Sequence, residues 1–151
     1  MKYLFTSLII FLISLSVYGS DMNNIQSMNC AYVVDNHFTI DSREPMEAMF
    51  KGSGVVKSKM TLRITDIDLT NGTAKMIGNG GTSDIQVLKS GIGLIFIEMT
   101  PTAFHTYIVY DAKTTDMDDK HFPTIQSRNG LIGGVSGISS QLAGVCRAKF
   151  K

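Results

Sequence analysis

No basic stripe runs through this sequence. Fourteen lysines and arginines face thirteen aspartates and glutamates over 151 residues, and the positive charges are scattered. Binding to a phosphate backbone draws on clustered cations that release counterions, so no nucleic-acid partner is expected. Past the first twenty residues there is no second long apolar run, which argues against a membrane-spanning helix in the rest of the chain.

Catalytic and metal motifs are missing too. The histidines His37, His105 and His121 stand in no H-x-x-x-H or H-E-x-x-H spacing, so no metal site is expected. The acidic stretch from Asp111 through Asp116, Asp118 and Asp119 invites a calcium reading. It lacks the glycine and glutamate that an EF-hand order demands, and reads as a solvated loop. The glycine runs at 78–81 and 130–137 are followed by neither Lys-Ser nor Lys-Thr, so they read as turns rather than phosphate cradles. Gly134-Val135-Ser136-Gly137 is one residue short of a nucleophile elbow. No catalytic residue, cofactor or enzymatic activity is expected on these grounds. The methionines form no ligand-spaced tract, and core packing is their expected role.

The start of the chain does carry a signal. Met1-Lys2 is a short positive lead, Tyr3 to Val17 is almost wholly apolar, and small residues follow up to Gly19. That is the plan of a secretory signal peptide over residues 1–19, with cleavage after Gly19 or, alternatively, at Ser16 or Ser20. The apolar stretch is about 15 residues, short of the ~20 that span a bilayer. A periplasmic or secreted protein without a stable membrane anchor is the expectation. Residues 20–29 read as a flexible lead, and residues 30–151 as one domain with one core.

Cys30 and Cys146 are the chain's two cysteines, near opposite ends of the mature protein. In an oxidising compartment they are expected to pair, with buried free thiols or an intermolecular bridge as the alternatives.

Between them the pattern is one of short strands. Cys30 to Val34 is β-branched and aromatic, and His37 to Ile40 extends or partners it. A short helix is the reading for residues 45–50, with Ser42 as a candidate cap, and an irregular edge strand is the alternative. Met60, Leu62 and Ile64 alternate with Thr61, Arg63 and Thr65, and the phase slips near Asp66, which predicts a β-bulge. Asn71-Gly72 predicts a tight type I′ hairpin pairing residues 60–70 with 73–77. Residues 83–88 form another strand, and 92–99 one apolar enough to be buried on both faces or to lie at the sheet centre. In residues 104–110, Phe104, Ile108 and Tyr110 face one way and His105, Tyr107 and Val109 the other. Pro123 places residues 121–127 at a sheet edge or at the first residues of a strand. Residues 141–150 form the last strand, which holds Cys146. About eight or nine strands with almost no helix predict an all-β, single-domain antiparallel β-barrel or barrel-like sandwich. A bridge between first and last strands favours barrel closure.

Glu98 is the one acid inside a strongly apolar strand, and a buried carboxylate needs a partner. Arg63 or Arg128 is the expected one, in a structural ion pair.

The C-terminal half resembles a group of small exported bacterial β-proteins with no established activity. The residues that carry the likeness are Leu94 to Pro101, Thr106 to Tyr110, Gln126-Ser127-Arg128, and Ser140-Gln141-Leu142-Ala143-Gly144-Val145-Cys146. The last of these fits an S-Q-x-x-G-x-C ending. Asn129 stands where members often have histidine, and Leu142-Ala143 where they often have aromatics. The resemblance implies export, β-structure and a structural role for Cys146, and it transfers no catalytic residue.

These readings converge on an exported, non-enzymatic binding module, of the inhibitor or immunity type, that meets a protein partner. Its expected surface lies around His105, Tyr107, Arg128 and Gln141. The alternative is a lipocalin-like barrel carrying a small apolar ligand in a cavity lined by Phe96, Phe104, Ile108 and Tyr110. A small secreted hydrolase is a third reading. It requires a nucleophile, a base and an acid within hydrogen-bond reach.

Overall fold

The computed structural model describes residues 21–41, 50–57, 59–112, 120–132 and 136–151. A short 3-10 turn, Asp21–Asn24, leads into nine strands: β1 Ile25–Asp41, β2 Phe50–Lys57, β3 Thr61–Asp68, β4 Thr73–Gly78, β5 Gly81–Ser90, β6 Gly93–Thr100, β7 Ala103–Tyr110, β8 His121–Ile132 and β9 Ser136–Phe150. Every pairing is antiparallel. From β3 to β9 each strand pairs with the next in sequence, and β1 pairs with both β3 and β9. Eight strands thus close an up-and-down barrel, which decides between the barrel and the sandwich.

β1 makes the closure. One edge of it runs beside β9 from Ile25↔Phe150 to Asp41↔Ser136. Its other edge is shared: Met28 to Ala31 pair with β3, and Val34 to Ile40 pair with β2. β2 is therefore an addition to the long end of β1 rather than a stave of the barrel.

Strand period two sorts the side chains. Leu62, Ile64, Ala74, Met76, Ile85, Val87, Leu94, Phe96, Val109, Phe122, Leu142, Cys146 and Ala148 are buried inside. Arg63, Lys75, Asp84, Gln86, Arg147 and Lys149 alternate with them on the exposed outer surface. Register builds this interior in layers. Val87, Phe96, Tyr107, Gln126 and Leu142 lie directly across from one another on β5 to β9. Burying an aliphatic or aromatic side chain of this size contributes ~1.5–3 kcal/mol, so such layers hold the barrel together.

Cys30 and Cys146 face each other in the β1–β9 ladder and are joined in a disulfide. Both are buried. The bridge spans 116 residues of sequence and closes the seam between first and last strands.

Gly144 is required beside that bridge. It sits opposite Tyr32, where Val33 is the extra residue of a bulge in β1. A Cβ on Gly144 would run into the Ala31 carbonyl oxygen and lie 2.7 Å from the Tyr32 Cα. Backbone cannot retreat there without opening the seam. Gly144→Ala is expected to cost about 2 kcal/mol, in the range of core overpacking, read as a lower urea midpoint with unchanged m-value.

Several expectations change. The first strand opens at Ile25, inside the residues read as a flexible lead, and Met22, Ile25 and Met28 are buried. Their spacing of three among Asn, Gln and Ser residues hides the strand. β6 is buried on one face only: Leu94 and Phe96 point inward, while Met99 is 67% exposed. Of the two readings of Pro123, the edge strand does not hold, since β8 pairs on both sides, and the place among the first residues of a strand does, since β8 opens at His121. Pro123 is tolerated because β7 pairing stops at Val109↔Thr124, one residue short of it.

The β3–β4 hairpin and the bulge after Thr65 are present, with Asp66 at φ 53°. The turn is not type I′, because Gly72 at φ 67° is in the left-handed region and Asn71 is not. Asp68 shapes it instead. Its carboxylate accepts from the Thr70 and Asn71 amides and the Asn71 side chain at 2.7–3.0 Å. Those bonds, led by the Asn71 side chain, hold the Asp68 carboxyl below its usual range. Of the expected helix over residues 45–50, Phe50 opens β2, and 45–49 lie outside the described residues, as do 1–20 and most of the acidic loop at 113–119.

Candidate functional site

The site grows from one register row. Glu98 on β6 lies opposite His105 on β7, His105 opposite Arg128 on β8, and Arg128 opposite Ser140 on β9. All four take the inward parity of their strands, one layer beyond Phe96, Tyr107, Gln126 and Leu142. The apolar packing ends here and a polar end of the barrel begins.

Glu98 is the hub. Its carboxylate accepts from Ser83 Oγ at 2.8 Å, from His105 Nδ1 at 2.8 Å and from the Tyr107 hydroxyl at 3.2 Å. The Glu98 and His105 side chains are 13% and 11% exposed, so this pair works in a poorly solvated place where its attraction is strong. The acceptor fixes the imidazole: Nδ1 must carry a proton, and the ring stands edge-on to Tyr107 with 6.4 Å between centroids. Neither expected arginine pairs with Glu98. Arg63 is exposed on the outer face of β3. Arg128 is exposed at the rim and makes no ion pair among the described residues.

Burial pushes the Tyr107 phenol far up, and the charge and hydrogen bond of Glu98 push the same way. Burial also raises Tyr32 to about 12, against a smaller pull from the neighbouring Thr124 hydroxyl, which lies close without forming a good hydrogen bond. The sign for stability follows. Both phenols ionise later folded than unfolded, so their contribution is whole below about pH 10 and lost as pH rises through the folded values. The urea midpoint is expected to fall between about pH 10 and 12. Tyr107→Phe should remove part of that slope.

Around the hub lies a pocket of about 360 Å³. Glu98, His105, Tyr107, Gln126 and Arg128 form one wall, and the β4–β5 turn Gly78-Asn79-Gly80-Gly81 with Met60 and Met76 forms the other. Two side chains on the polar wall are unfinished. His105 Nε2 and Gln126 Oε1 are buried and have no hydrogen-bond partner among the described residues. Ser140 Oγ, at the end of the same row on β9, is in the same state. A buried polar atom left unpaired costs ~1–3 kcal/mol, so several in one place mark a site awaiting partners. Among the described residues three larger depressions lie elsewhere, one on the outside of β4 to β6, one under the β6–β7 turn and one against β1, β3 and β4. None of the three includes such an atom.

Three of the four expected surface residues therefore meet in this pocket: His105, Tyr107 and Arg128. Gln141 does not, because it follows the inward Ser140 and is exposed on the opposite face. Ser83 and Gln126 belong to the site and are not among its expected residues, although Gln126 falls in the Gln126-Ser127-Arg128 segment of the resemblance. Gln126 sits at inward parity with Thr124, a pattern visible only once the strand register is known.

An acid and a base converge in Glu98 and His105, oriented as in a hydrolase triad, and among the described residues no nucleophile reaches His105 Nε2. The cavity that an apolar carrier would need is not assembled either. Phe96 points inward, while Phe104 is 43% exposed and Ile108 and Tyr110 share its outward parity. Among the described residues no three His, Cys, Asp or Glu side chains gather as a metal site would require. Compared with protein-family models, with curated proteins and with solved structures, the chain finds no match.

Proposed function

We propose that this is an exported, non-enzymatic binding module that receives a polar group of a protein partner in the polar end of its barrel. One observation carries the reading: His105 Nε2 and Gln126 Oε1 are buried, unpartnered and set in the wall of an open pocket with the Arg128 guanidinium at its rim. The rim supports a protein as the partner. Met99 and Phe104, 67% and 43% exposed, flank the β6–β7 turn next to the Glu98–His105 pair. Exposed apolar anchors beside a polar recess resemble the core and rim of a protein interface. The buried disulfide is compatible with export, because such bridges persist outside the reducing cytoplasm. The resemblance to small exported β-proteins points the same way.

The test is affinity capture from the extracytoplasmic fluid on immobilised mature protein, with an Arg128→Glu column beside it, and mass spectrometry of both. A partner retained at stoichiometric amounts on the first column and lost on the second supports the proposal. A partner retained equally on both places the interface elsewhere, and a co-purifying lipid in its stead favours the carrier reading.

A further inference from the structure

Resting on that reading, we infer that the group received by the pocket is an oxyanion, a carboxylate or phosphate held between His105 Nε2 and the Arg128 guanidinium. The argument starts with what Glu98 has already spent. Its two oxygens accept three hydrogen bonds, from Ser83, His105 and Tyr107, so its charge is turned inward and largely satisfied. What remains facing the cavity is the Arg128 cation together with the uncommitted Nε2 of the His105 ring. With Nδ1–H held by the carboxylate, Nε2 is an acceptor in the neutral ring and a donor only in the imidazolium; an anion seated there selects the imidazolium, whose Nε2–H has no acceptor among the described residues. Arg128 lies directly across the β7–β8 ladder from His105 and has no carboxylate within ion-pair distance among the described residues. A guanidinium fork and an imidazole N–H on neighbouring strands suit the two oxygens of one anion. The Gln126 carboxamide, deeper in the wall, can rotate to present its NH₂ to the same group.

Two sources share this chemistry: an acidic side chain of a protein partner and a free small acid. Glu98 then acts as a positioning residue, since it fixes the imidazole through Nδ1 and aims Nε2 outward.

The experiment is an NMR titration of the ¹⁵N-labelled mature protein, following the His105 ring nitrogens and nearby amides. Four probes are used: sodium acetate, inorganic phosphate, the capped peptide Gly-Asp-Gly and its neutral counterpart Gly-Asn-Gly. The anions are expected to shift His105 Nε2 saturably and the neutral peptide is not. Arg128→Gln should weaken the anions by about 10-fold, as loss of a charge-assisted bond does. Arg63→Gln, the same charge change on the outer face, should leave them unaffected. Tighter binding of the acidic peptide than of acetate assigns the source to a partner's side chain, and the reverse assigns it to a free acid; either order supports the oxyanion. Equal response to the neutral peptide overturns the oxyanion and leaves the pocket as a binding site. Silence from all four overturns both.

Discussion

Replacing Cys30 and Cys146 together by alanine is expected to lower the unfolding free energy by about 4 kcal/mol. The bridge ties residues 116 positions apart. In the chain-entropy model a loop of ~100 residues is worth about 4.7 kcal/mol, from which unfolded-state structure subtracts. The loss belongs mainly to the unfolded chain. In the folded state the β1–β9 ladder continues for many residues on either side of the bridge. The variant should therefore keep its native circular dichroism while its urea midpoint drops. Because Cys146 is fully buried and Cys30 nearly so, reductant alone should leave the bridge intact and act only with denaturant present. A midpoint unchanged by the double replacement would show that the bridge does not staple the barrel.

The second large effect concerns Glu98. Glu98→Ala removes the single acceptor shared by Ser83 Oγ, His105 Nδ1 and the Tyr107 hydroxyl. Breaking a buried pair costs ~3–5 kcal/mol because the remaining partner is stranded. Water entering from the pocket offsets part of that, so about 3 kcal/mol is expected. Glu98→Gln keeps the shape and one acceptor oxygen, and should cost about half as much. The two variants separate volume from charge. In both, the His105 ring loses its fixed orientation, which should broaden its NMR signals and raise the phenol ionisation range of Tyr107 less than in the parent. Equal stability of all three proteins would mean that the hub is not structurally engaged.

Much of the fold was legible because strand chemistry is local. The alternation in Met60 to Thr65, the slip at Asp66 and the Asn71-Gly72 turn all lie within a few residues of one another. The two cysteines hinted at closure because a bridge between terminal strands makes them neighbours. The misread parts depend on what lies across the ladder. Ile92 to Met99 is apolar at nearly every position, so its sequence cannot say that Met99 faces water while Leu94 and Phe96 face the core. Residues 104–110 were correctly sorted into two faces, but alternation does not state which face is inside. A cavity of Phe104, Ile108 and Tyr110 therefore stood as an expectation until register placed His105, Tyr107 and Val109 within.

The site was half visible for the same reason. Glu98 stood out as a lone acid in an apolar strand, and His105, Tyr107 and Arg128 as polar residues at strand positions. Their meeting depends on four strands aligning Glu98, His105, Arg128 and Ser140 in one row. No spacing within the chain encodes that row, which is why an arginine was the expected partner of Glu98 and a histidine is the actual one.

Hydrogen–deuterium exchange of the protein, alone and with any partner retained in the proposed capture, tests the central claim most directly. Binding at the polar barrel end predicts new protection in two segments: the β6–β7 stretch around Glu98 and His105, together with Arg128 on β8, and the β4–β5 turn at residues 78–83. Protection confined to the outer strand faces around Arg63, Lys75 and Asp84, with the His105 segment unchanged, would contradict it.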